Sequence, residues 1–465
     1  MSNPGDVDDT PIRSTEQLAA HLAEGAKPRG EWRIGTEHEK FGFRLPGSAH
    51  GSAFAPPPYA PNGIEALLEG FAADRDGWEP IRDNGALIGL KGQGPNKGGS
   101  LSLEPAGQFE LSGGPLRSLH ETKAELDAHV AALHPVAAGL GLGFAPLGFH
   151  PAATRAEMPF MPKSRYGIMR RYMPKVGSLG LDMMLRTCTV QVNLDYGSEA
   201  DMARKLRVSL ALQPIATALF ANSPFEEGRP NGLLSTRARV WTDTDNARSG
   251  MPPLFFQPDF GFGLYVDWVL DVPMYFVSRD GKLIDVAGAS FRDWMAGRNP
   301  ALAGIRPTVG DFDDHLTTVF TDVRLKRFLE MRGADAGSVP MMVAQSAFWT
   351  GLLYDDAALA AADALVHEQP WESYAALRAA VPAQGLDAPF GNGVARDLAA
   401  RVVALAADGL RARALEDAEG RDERSYLDPL LPIVNGAPNQ AQHWLERFHD
   451  AWNGDVSRIF LEAAI

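Results

Sequence analysis

Acidic residues occur inside segments whose alternation of polar and apolar side chains otherwise predicts β-strands. This feature limits the possible folds most, because carboxylates are depleted in strands. In segment 33–41 the two-residue period of a strand places Glu37 and Glu39 on one face. The same alternation applies to three further acids: Glu104 in segment 100–104, Glu110 in 108–112 and Glu330 in 328–332. We therefore expect a sheet with acidic side chains on one face.

Several carboxylates on one surface repel one another unless cations lie between them. Magnesium suits such a surface, because each ion takes one or two carboxylates and completes its octahedron with phosphate oxygens and water. Five glutamates would be enough for two or three Mg²⁺ ions. The alternative is a sheet with one solvated face, where single charged residues are ordinary. The spacing alone leaves both interpretations open.

Cationic side chains that suit an anionic ligand lie near the middle of the chain. Segment 163–175 contains Lys163 and Arg165 but no acid, although the net charge of the protein is −14. Arg237 lies further along, before an acidic Trp-Thr-Asp-Thr-Asp sequence. The planar fork of arginine suits bidentate contacts with carboxylate or phosphate. A solvated basic face is the alternative.

A polar stripe follows Arg186 in a segment rich in β-branched residues. The alternation predicts a strand over about 186–194, with Thr189, Gln191 and Asn193 on one face and valines on the other. Such a stripe suits the amino and carboxylate groups of a small polar ligand.

The order of predicted elements indicates the fold class. Capping patterns at Ser14, Ser118 and Ser198 predict helices, and Pro214 should kink the third helix without ending it. We predict a loop for the basic segment 163–175. Strands interrupted by helices without regular alternation indicate an α+β fold with an antiparallel sheet. We predict a single catalytic domain over 1–465, with an N-terminal helix region at 1–30 and a mostly helical part from about 312 to 465.

Composition and charge exclude several classes of protein. The 44 basic and 58 acidic side chains give a sequence pI of about 5.3, which disfavours binding to nucleic acid. No apolar run approaches a membrane span, and residues 1–10 are polar and acidic, unlike a targeting peptide. These features predict a cytoplasmic protein. Cys188 is the single cysteine, so no intrachain disulfide can form.

Several long and irregular motifs resemble one known family, the glutamate–cysteine ligases of the plant and proteobacterial type. The matching segments are 33–43, 108–113, 172–177, 181–184, 186–193, 212–224, 241–245 and 329–335. The resemblance implies a fold similar to the catalytic domain of glutamine synthetase, with a curved antiparallel sheet forming a funnel and helices outside. It also implies ATP-dependent joining of the γ-carboxylate of L-glutamate to the amine of L-cysteine through γ-glutamyl phosphate. This is the first step of glutathione synthesis.

The resemblance also implies roles for individual residues. The predicted magnesium ligands are Glu37, Glu39, Glu104, Glu110 and Glu330. The residues predicted to stabilise charge on the transferring phosphoryl group are Arg332 and Arg237, and those predicted to reach the phosphates of ATP are Lys163 and Arg165. The residues predicted to line the amino-acid pocket are Arg186, Thr189, Gln191 and Asn193. Trp349 is predicted to wall this pocket, with a place in the core as the alternative.

Competing functions remain open at this stage. One is a γ-glutamyl ligase that uses a different amine or serves a different thiol pathway. Another is a guanidino-type phosphotransferase, which would leave a stable phosphorylated product, and a third is a non-catalytic relative that binds metal or nucleotide. The expected partners are L-glutamate, L-cysteine and ATP, with no nucleic acid or membrane. The protein is expected to be a monomer or a homodimer.

Overall fold

A computed structural model describes residues 8–465. The prediction that residues 1–10 are not a targeting peptide rests mostly on residues 1–7, which lie outside the described residues. Among residues 8–465, no helix combines the length and the apolar character needed to cross a bilayer.

Helices make up most of the second half of the chain and separate the strands of the first half. Within residues 8–465 the α-helices are α1 (Thr15–Ala23), α2 (Ile64–Ala72), α3 (Leu119–Gly139), α4 (Ser164–Tyr172), α5 (Gly180–Arg186), α6 (Glu199–Leu219), α7 (Thr236–Val240), α8 (Phe262–Asp271), α9 (Phe291–Met295), α10 (Val309–Leu316), α11 (Val339–Leu353), α12 (Asp356–Val366), α13 (Trp371–Gln384), α14 (Ala395–Arg413), α15 (Leu430–Val434), α16 (Gln440–His449) and α17 (Ile459–Glu462).

The strands are concentrated between residues 34 and 335. They are β1 (Ile34–Arg44), β2 (Trp78–Asp83), β3 (Ala86–Gly92), β4 (Ser100–Leu103), β5 (Phe109–Ser112), β6 (Leu142–Ala145), β7 (Thr189–Leu194), β8 (Phe225–Glu226), β9 (Arg229–Pro230), β10 (Ser249–Gly250), β11 (Phe276–Arg279), β12 (Lys282–Asp285), β13 (Phe320–Thr321), β14 (Val323–Leu325), β15 (Leu329–Asp335), β16 (Pro389–Phe390) and β17 (Gly393–Val394).

Nine of these strands form one antiparallel sheet. Eight of them follow the order β14-β15-β7-β1-β5-β4-β3-β2, and β6 pairs with the C-terminal part of β1. β1 is central, because its N-terminal part pairs with β7 on one edge and its middle pairs with β5 on the other. The predicted α+β fold, a curved antiparallel sheet with helices outside, is confirmed.

Apolar side chains of the sheet pack under the helices, which leaves the polar side chains on the opposite face. Val192 and Met331 belong to a core cluster that includes α6 and α11. Leu101 and Phe109 belong to a second cluster with apolar residues of α2. Because successive strand residues point to opposite faces, the acidic residues of these strands lie on the face away from α2, α6 and α11. We call this face the concave face.

All three predicted capping residues stand at the start of a helix. The hydroxyl groups of Ser14, Ser118 and Ser198 each accept a hydrogen bond from a backbone N–H in the first turn of α1, α3 and α6. Pro214 lies inside α6, which continues to Leu219 as predicted. Apolar packing therefore outweighs the loss of one helical hydrogen bond at this proline.

Two local predictions are wrong. The basic segment 163–175 is not a loop, because α4 and a following 3₁₀ turn occupy it. Buried Tyr166 and Met169 anchor this helix at an interval of three residues, a signal that the basic side chains obscured. The strand after Arg186 begins only at Thr189, and Arg186 is the last residue of α5.

Candidate active site

The register of β1 brings carboxylates from separate segments onto the concave face. Glu39 lies directly opposite Glu110 on β5, and Glu37 lies opposite Gln191 on β7. Ser102 on β4 lies opposite Glu110 from the other side. Directly opposed residues in antiparallel strands point to the same face. The polar side chains of these strands therefore converge.

Two carboxamides hold Glu37. Nδ2 of Asn193 donates a hydrogen bond to Oε1 of Glu37 at 2.7 Å, and Nε2 of Gln191 donates to Oε2 at 3.3 Å. Burial raises the pKa of Glu37, and the negative charges of Glu330 and Glu110 raise it further. Oδ1 of Asn193 is buried without a hydrogen-bond partner. This end of the concave face thus has an oxygen acceptor available to a ligand.

Glu39 is buried close to two other carboxylates, those of Glu104 and Glu110. Burial, together with the charges of Glu104 and Glu110, raises the pKa of Glu39 to about 8. The backbone N–H of Thr189 donates to Oε2 of Glu39 at 2.8 Å, and Oγ of Ser102 donates to Oε2 of Glu110 at 2.7 Å. These two donors fix the carboxylates in place, but they do not neutralise the charge.

Glu330 has a different electrostatic environment from Glu37 and Glu39. Oε2 of Glu330 accepts hydrogen bonds from Nε of Arg324 at 2.6 Å and from Nη1 of Arg332 at 2.7 Å, and Nζ of Lys326 lies 3.4 Å from Oε1. Burial opposes the charged form, but Arg324, Lys326 and Arg332 hold the pKa of Glu330 well below its usual value. The protein itself therefore balances this charge.

A cavity opens beside the carboxylates of Glu39 and Glu104, and we call it the carboxylate cavity. It is lined by Glu39, Glu104, Pro105, Gln108, Met169, Met183, Met184, Thr187, Thr189, Gln191, Arg237, Trp241, Phe320 and Arg332. Gln108 ties its wall together, because Nε2 donates to the backbone oxygens of Met184 at 3.2 Å and Thr187 at 3.0 Å. The cavity thus combines acidic, cationic and apolar walls.

Arg332 and Arg237 bring positive charge to this cavity. Nη1 of Arg332 donates to both Gln191 and Glu330, which fixes its guanidinium above the strands. Nη2 of Arg237, on α7, donates to the backbone oxygen of Arg332 at 2.7 Å. Nε of Arg237 is buried without a partner. Both guanidinium groups are therefore placed to contact an anion in the cavity.

Lys163 is close to the acids, whereas Arg165 is held elsewhere. Burial lowers the pKa of Lys163, while the charges of Glu104 and Glu110 oppose that shift. Nη2 of Arg165 donates to Oγ1 of Thr317 at 3.2 Å, and the guanidinium lies 5.2 Å from the ring centre of Phe276. Of the two predicted ATP-phosphate ligands, Lys163 thus has the closer relation to the carboxylates.

The structure does not bring Arg186 or Trp349 to the carboxylate cavity. The guanidinium of Arg186 donates to Asp182 at 2.9 Å and to Glu226 and Glu227 at 3.1 Å each. Trp349 is fully buried on α11 in the core cluster with α6, and its ring centre lies 4.8 Å from that of Phe348. The core alternative for Trp349 is therefore correct, and the expected strand position of Arg186 is wrong.

The predicted polar stripe on β7 does lie on the concave face, with each member held differently. Gln191 and Asn193 donate to Glu37, whereas the hydroxyl of Thr189 donates to the backbone oxygen of Ala334 at 2.7 Å. Thr189 and Gln191 line the cavity. The hydroxyl of Thr189 therefore mainly fixes β7 against β15.

Sequence reasoning missed several residues of the site. Arg324 and Lys326 balance Glu330, and Trp241 and Phe320 form an aromatic wall with ring centres 5.8 Å apart. The alternation of Val323-Arg-Leu-Lys326 was a usable signal for the two cations, because its polar side chains share a face. Nothing local marked Phe320 as a site residue.

The donor set fits magnesium. Within residues 8–465, no three His, Cys, Asp or Glu side chains form a group that could hold an ion by themselves. Magnesium does not need such a cage, because it usually binds one or two carboxylates together with water and phosphate oxygens. The raised pKa of Glu37 and of Glu39 shows carboxylates that a cation would stabilise in their charged form.

Comparison with known proteins gives the family. Residues 33–462 match the Glutamate-cysteine ligase family 2 (GCS2). The chain is 50% identical over 447 residues to the chloroplastic glutamate–cysteine ligase of Nicotiana tabacum, covering 96% of this chain and 82% of that protein. It is 49% identical over 447 residues to chloroplastic glutamate–cysteine ligase B of Oryza sativa subsp. japonica, covering 96% and 86%.

A solved structure supports the fold. Glutamate–cysteine ligase from Francisella tularensis, determined in complex with AMP, aligns with a TM-score of 0.54 at 11% identity. The alignment covers 93% of this chain and 89% of that one.

The comparison corrects one prediction and confirms another. The prediction of a cytoplasmic protein is wrong, because the tobacco and rice relatives are both named as chloroplastic enzymes. The predicted family and its activity, the joining of glutamate to cysteine, are confirmed by the match over residues 33–462 and by identities near 50%. This chain belongs to the glutamate–cysteine ligase family.

Proposed function

We propose that the concave face binds ATP with magnesium and L-glutamate, and that the resulting γ-glutamyl phosphate is captured by the amine of L-cysteine. The observation that carries this proposal is the convergence of Glu39, Glu110 and Arg332 on one face. Phosphoryl transfer requires a cation beside the phosphates and donors for the negative charge on the transferring group. The carboxylates can bind that cation, and the guanidinium can contact that negative charge. We propose a reaction in two steps on this basis.

The first step forms the activated acid. A γ-carboxylate oxygen of glutamate attacks the γ-phosphorus of ATP, so that a new O–P bond forms and the bond to the ADP oxygen breaks. Arg332 and Arg237 offer N–H donors to the negative charge on the transferring group. Because Arg332 is fixed by Gln191 and Glu330, its guanidinium needs little reorganisation during the reaction.

The second step forms the amide. The amine of cysteine attacks the acyl carbon, the bond to phosphate breaks, and the nitrogen loses a proton. Gln191 and Asn193 present carboxamide groups on the same face, and we assign them to the pocket for the glutamate substrate. Lys163 is placed to contact a phosphate of ATP, because it is buried close to Glu104 and Glu110.

The metal ligands are proposed from the electrostatics of the concave face. Glu37, Glu39, Glu104 and Glu110 remain the proposed magnesium ligands. When bound, magnesium would offset the negative charge on the phosphates of ATP. Glu330 is the weakest candidate among the five, because three cationic side chains of the protein already surround it. Its proposed role is to hold Arg332 in place.

An oxygen-transfer experiment tests the proposed chemistry. L-Glutamate labelled with ¹⁸O in both γ-carboxylate oxygens is incubated with the enzyme, ATP, magnesium and L-cysteine. We expect one ¹⁸O atom in inorganic phosphate and the other in the dipeptide product, as an acyl phosphate requires. Phosphate without ¹⁸O would contradict this mechanism. A stable phosphorylated product without free phosphate would instead indicate a phosphotransferase.

A further inference from the structure

Arg237 has few side-chain contacts that could fix its direction. α7, which carries it, contains only five residues. Among the described residues 8–465, its guanidinium makes one hydrogen bond, from Nη2 to the backbone oxygen of Arg332 at 2.7 Å, and its Nε is buried without a partner. The position of Arg237 therefore depends mainly on how α7 is attached to the rest of the protein.

Two buried serine hydroxyls hold the first turn of α7. Oγ of Ser235 accepts a hydrogen bond from the N–H of Ala238 at 3.1 Å, and Oγ of Ser223 accepts one from the N–H of Arg237 at 3.3 Å. The N–H of Thr236 also donates to the backbone oxygen of Ser223 at 3.0 Å. Each hydroxyl still has its own proton to donate to another acceptor.

Both hydroxyls donate that proton to the carboxylate of Asp335. Oγ of Ser235 lies 2.8 Å from Oδ1 of Asp335, and Oγ of Ser223 lies 2.6 Å from Oδ2. The backbone N–H of Asn222 also donates to Oδ2, at 2.8 Å. Asp335 is 2% exposed and does not line the carboxylate cavity. It therefore reaches the start of α7 through two hydroxyl groups, away from the space proposed for the substrates.

A bulge in β15 places Asp335 on the same face of the strand as Arg332. In a regular strand, residues three apart point to opposite faces. Between Met331 and Ala334, however, β15 has one residue more than its partner β7. Asp335 consequently pairs with Thr189, whose side chain lies on the concave face. The bulge thus brings the acid and the guanidinium of Arg332 to one side of the sheet.

The carboxylate of Asp335 has little room to move. A Cβ atom at Gly148 would lie 2.3 Å from Cγ of Asp335, so only glycine allows this close approach. Gly148 is itself fixed, because its N–H donates to the oxygen of Asn222 at 3.1 Å and its oxygen accepts from the N–H of Cys188 at 3.0 Å. Burial raises the pKa of Asp335, and the charge of Arg237 opposes that shift. The carboxylate is thus fixed and interacts electrostatically with this guanidinium.

α7 is therefore joined to β15 at two points. One is the carboxylate of Asp335 at the end of the strand, which holds the first turn of the helix. The other is the backbone oxygen of Arg332, which accepts a hydrogen bond from Arg237. Both guanidinium groups that line the carboxylate cavity thus take their positions from one strand.

We propose that Asp335 is a positioning residue for the ligation reaction. It holds the first turn of α7 through Ser223 and Ser235, and it thereby directs the guanidinium of Arg237 toward the transferring phosphoryl group. A hydrogen-bond donor stabilises this group most when it is held in place before the charge develops. The proposal rests on the proposed function, because it requires Arg237 to contact the transferring group.

A double-mutant cycle on kcat tests this role. Arg237→Gln should lower kcat about a hundredfold, the loss typical of one preorganised donor. Asp335→Asn should lower kcat about 10- to 100-fold in the wild type, because the guanidinium is displaced, but less than about threefold in Arg237→Gln. In Asp335→Asn the KM for glutamate and the KM for cysteine should each change less than about threefold. A purely structural role would lower kcat by the same factor in both backgrounds.

Variants of Ser235 test the same link without removing a charge. Ser235→Ala removes both the cap of α7 and the donor to Asp335, and it should lower kcat about tenfold. Ser235→Thr keeps a hydroxyl that can cap a helix, so it should recover most of this loss. The cycle with Arg237→Gln is repeated for Ser235→Ala, so that the test does not depend on the folding of Asp335→Asn.

Glu423→Gln is the matched control. Glu423 is fully buried and also holds the start of a helix, because its Oε1 accepts from the N–H of Leu119, the first residue of α3, at 2.7 Å. Its Oε2 accepts from Nε of Arg413 at 2.8 Å. α3 carries none of the proposed site residues. Glu423→Gln should therefore lower the Tm of the protein and leave kcat unchanged.

Two results would overturn the positioning role alone. The first is an unchanged kcat in folded Asp335→Asn. The second is a double variant in which the losses of Asp335→Asn and Arg237→Gln multiply, which would show that Asp335 acts independently of Arg237. An unchanged kcat in Arg237→Gln is a different result, because it would contradict the proposed contact of Arg237 with the transferring group and the positioning role together.

Discussion

Arg324 and Glu330 lie directly opposite each other on β14 and β15, and Nε of Arg324 donates to Oε2 of Glu330 at 2.6 Å. Both side chains are almost fully buried, with 1% and 0% exposure. Glu330 is thus the anion of an internal ion network, whereas Glu37 and Glu39 face other carboxylates. Residues that look alike in the strand pattern therefore have two different electrostatic environments.

The first prediction concerns stability. Glu330→Gln should lower the free energy of unfolding by about 3–5 kcal/mol, because it leaves buried cations without their partner. Glu37→Gln should have a much smaller effect, since it removes a carboxylate that others repel. Chemical denaturation of both variants measures the difference. Equal stability of the two variants would contradict the separate role of Glu330.

The second prediction concerns catalysis. Glu39→Gln should lower kcat by about a hundredfold or more, the loss expected when a preorganised charge contact is removed. It should also raise the magnesium concentration needed for half-maximal activity. Glu79→Gln on β2 is the matched control, because Glu79 is an exposed acid of the same sheet. A normal kcat for Glu39→Gln at saturating magnesium would exclude Glu39 as a ligand.

The third prediction concerns pH. The pKa of Glu39 is about 8 in the folded protein and 4.5 in an unperturbed chain. Between these two values the folded state keeps a proton that the unfolded state releases. The contribution of Glu39 to the free energy of unfolding is therefore complete below pH 4.5, and it is lost as the pH rises through about 8.

Thermal unfolding without magnesium measures this effect. Between pH 5 and 8 the wild type should lose more stability than Glu39→Gln, whose amide does not titrate. Adding magnesium with ATP should reduce the difference, because a cation stabilises the charged carboxylate. If the stabilities of the two proteins changed equally with pH, the pKa of Glu39 would not be raised, and the prediction would be wrong.

The fourth prediction separates two tryptophans. Trp349→Phe should lower stability but leave the KM of every substrate unchanged, because Trp349 lies in the core on α11. Trp241→Phe should raise the KM of a substrate and have only a small effect on stability, because Trp241 lines the carboxylate cavity. Steady-state kinetics and thermal unfolding of each variant provide the comparison. A changed substrate KM in Trp349→Phe would indicate that Trp349 lines the substrate pocket after all.

The fifth prediction concerns Arg186. Arg186→Ala should destabilise the protein, because the buried carboxylate of Asp182 loses its buried arginine partner and keeps only the more exposed Arg155. The KM for glutamate should change less than about threefold, since the guanidinium is already bound by three acids. A tenfold rise in that KM with unchanged stability would restore the original assignment of Arg186 to the substrate pocket.

Strand periodicity was sufficient to predict the acidic face, and the structure shows why. A period of two assigns Glu37 and Glu39 to one face whatever the neighbouring strands are, and the capping residues fix where α1, α3 and α6 begin. The resemblance to a known family then indicated that these segments belong to one fold. Local patterns therefore predict which face a residue occupies.

The same patterns could not predict which residues meet across the sheet. The pairing of Arg324 with Glu330 depends on the turn between β14 and β15, and the burial of Trp349 depends on how α11 packs against other helices. Arg186 is the last residue of α5 and stands just before strand-like residues, so the alternation that follows it predicted the wrong element. Such relationships are set by tertiary packing.

The central claim is that the carboxylates of the concave face hold the cations that bind ATP. Diffraction from crystals grown with Mn²⁺ and a non-hydrolysable ATP analogue tests it most directly, because anomalous scattering locates each ion. We expect peaks within about 2.0–2.4 Å of carboxylate oxygens of Glu37, Glu39, Glu104 or Glu110. Ions bound only to the nucleotide, or bound away from the concave face, would contradict it.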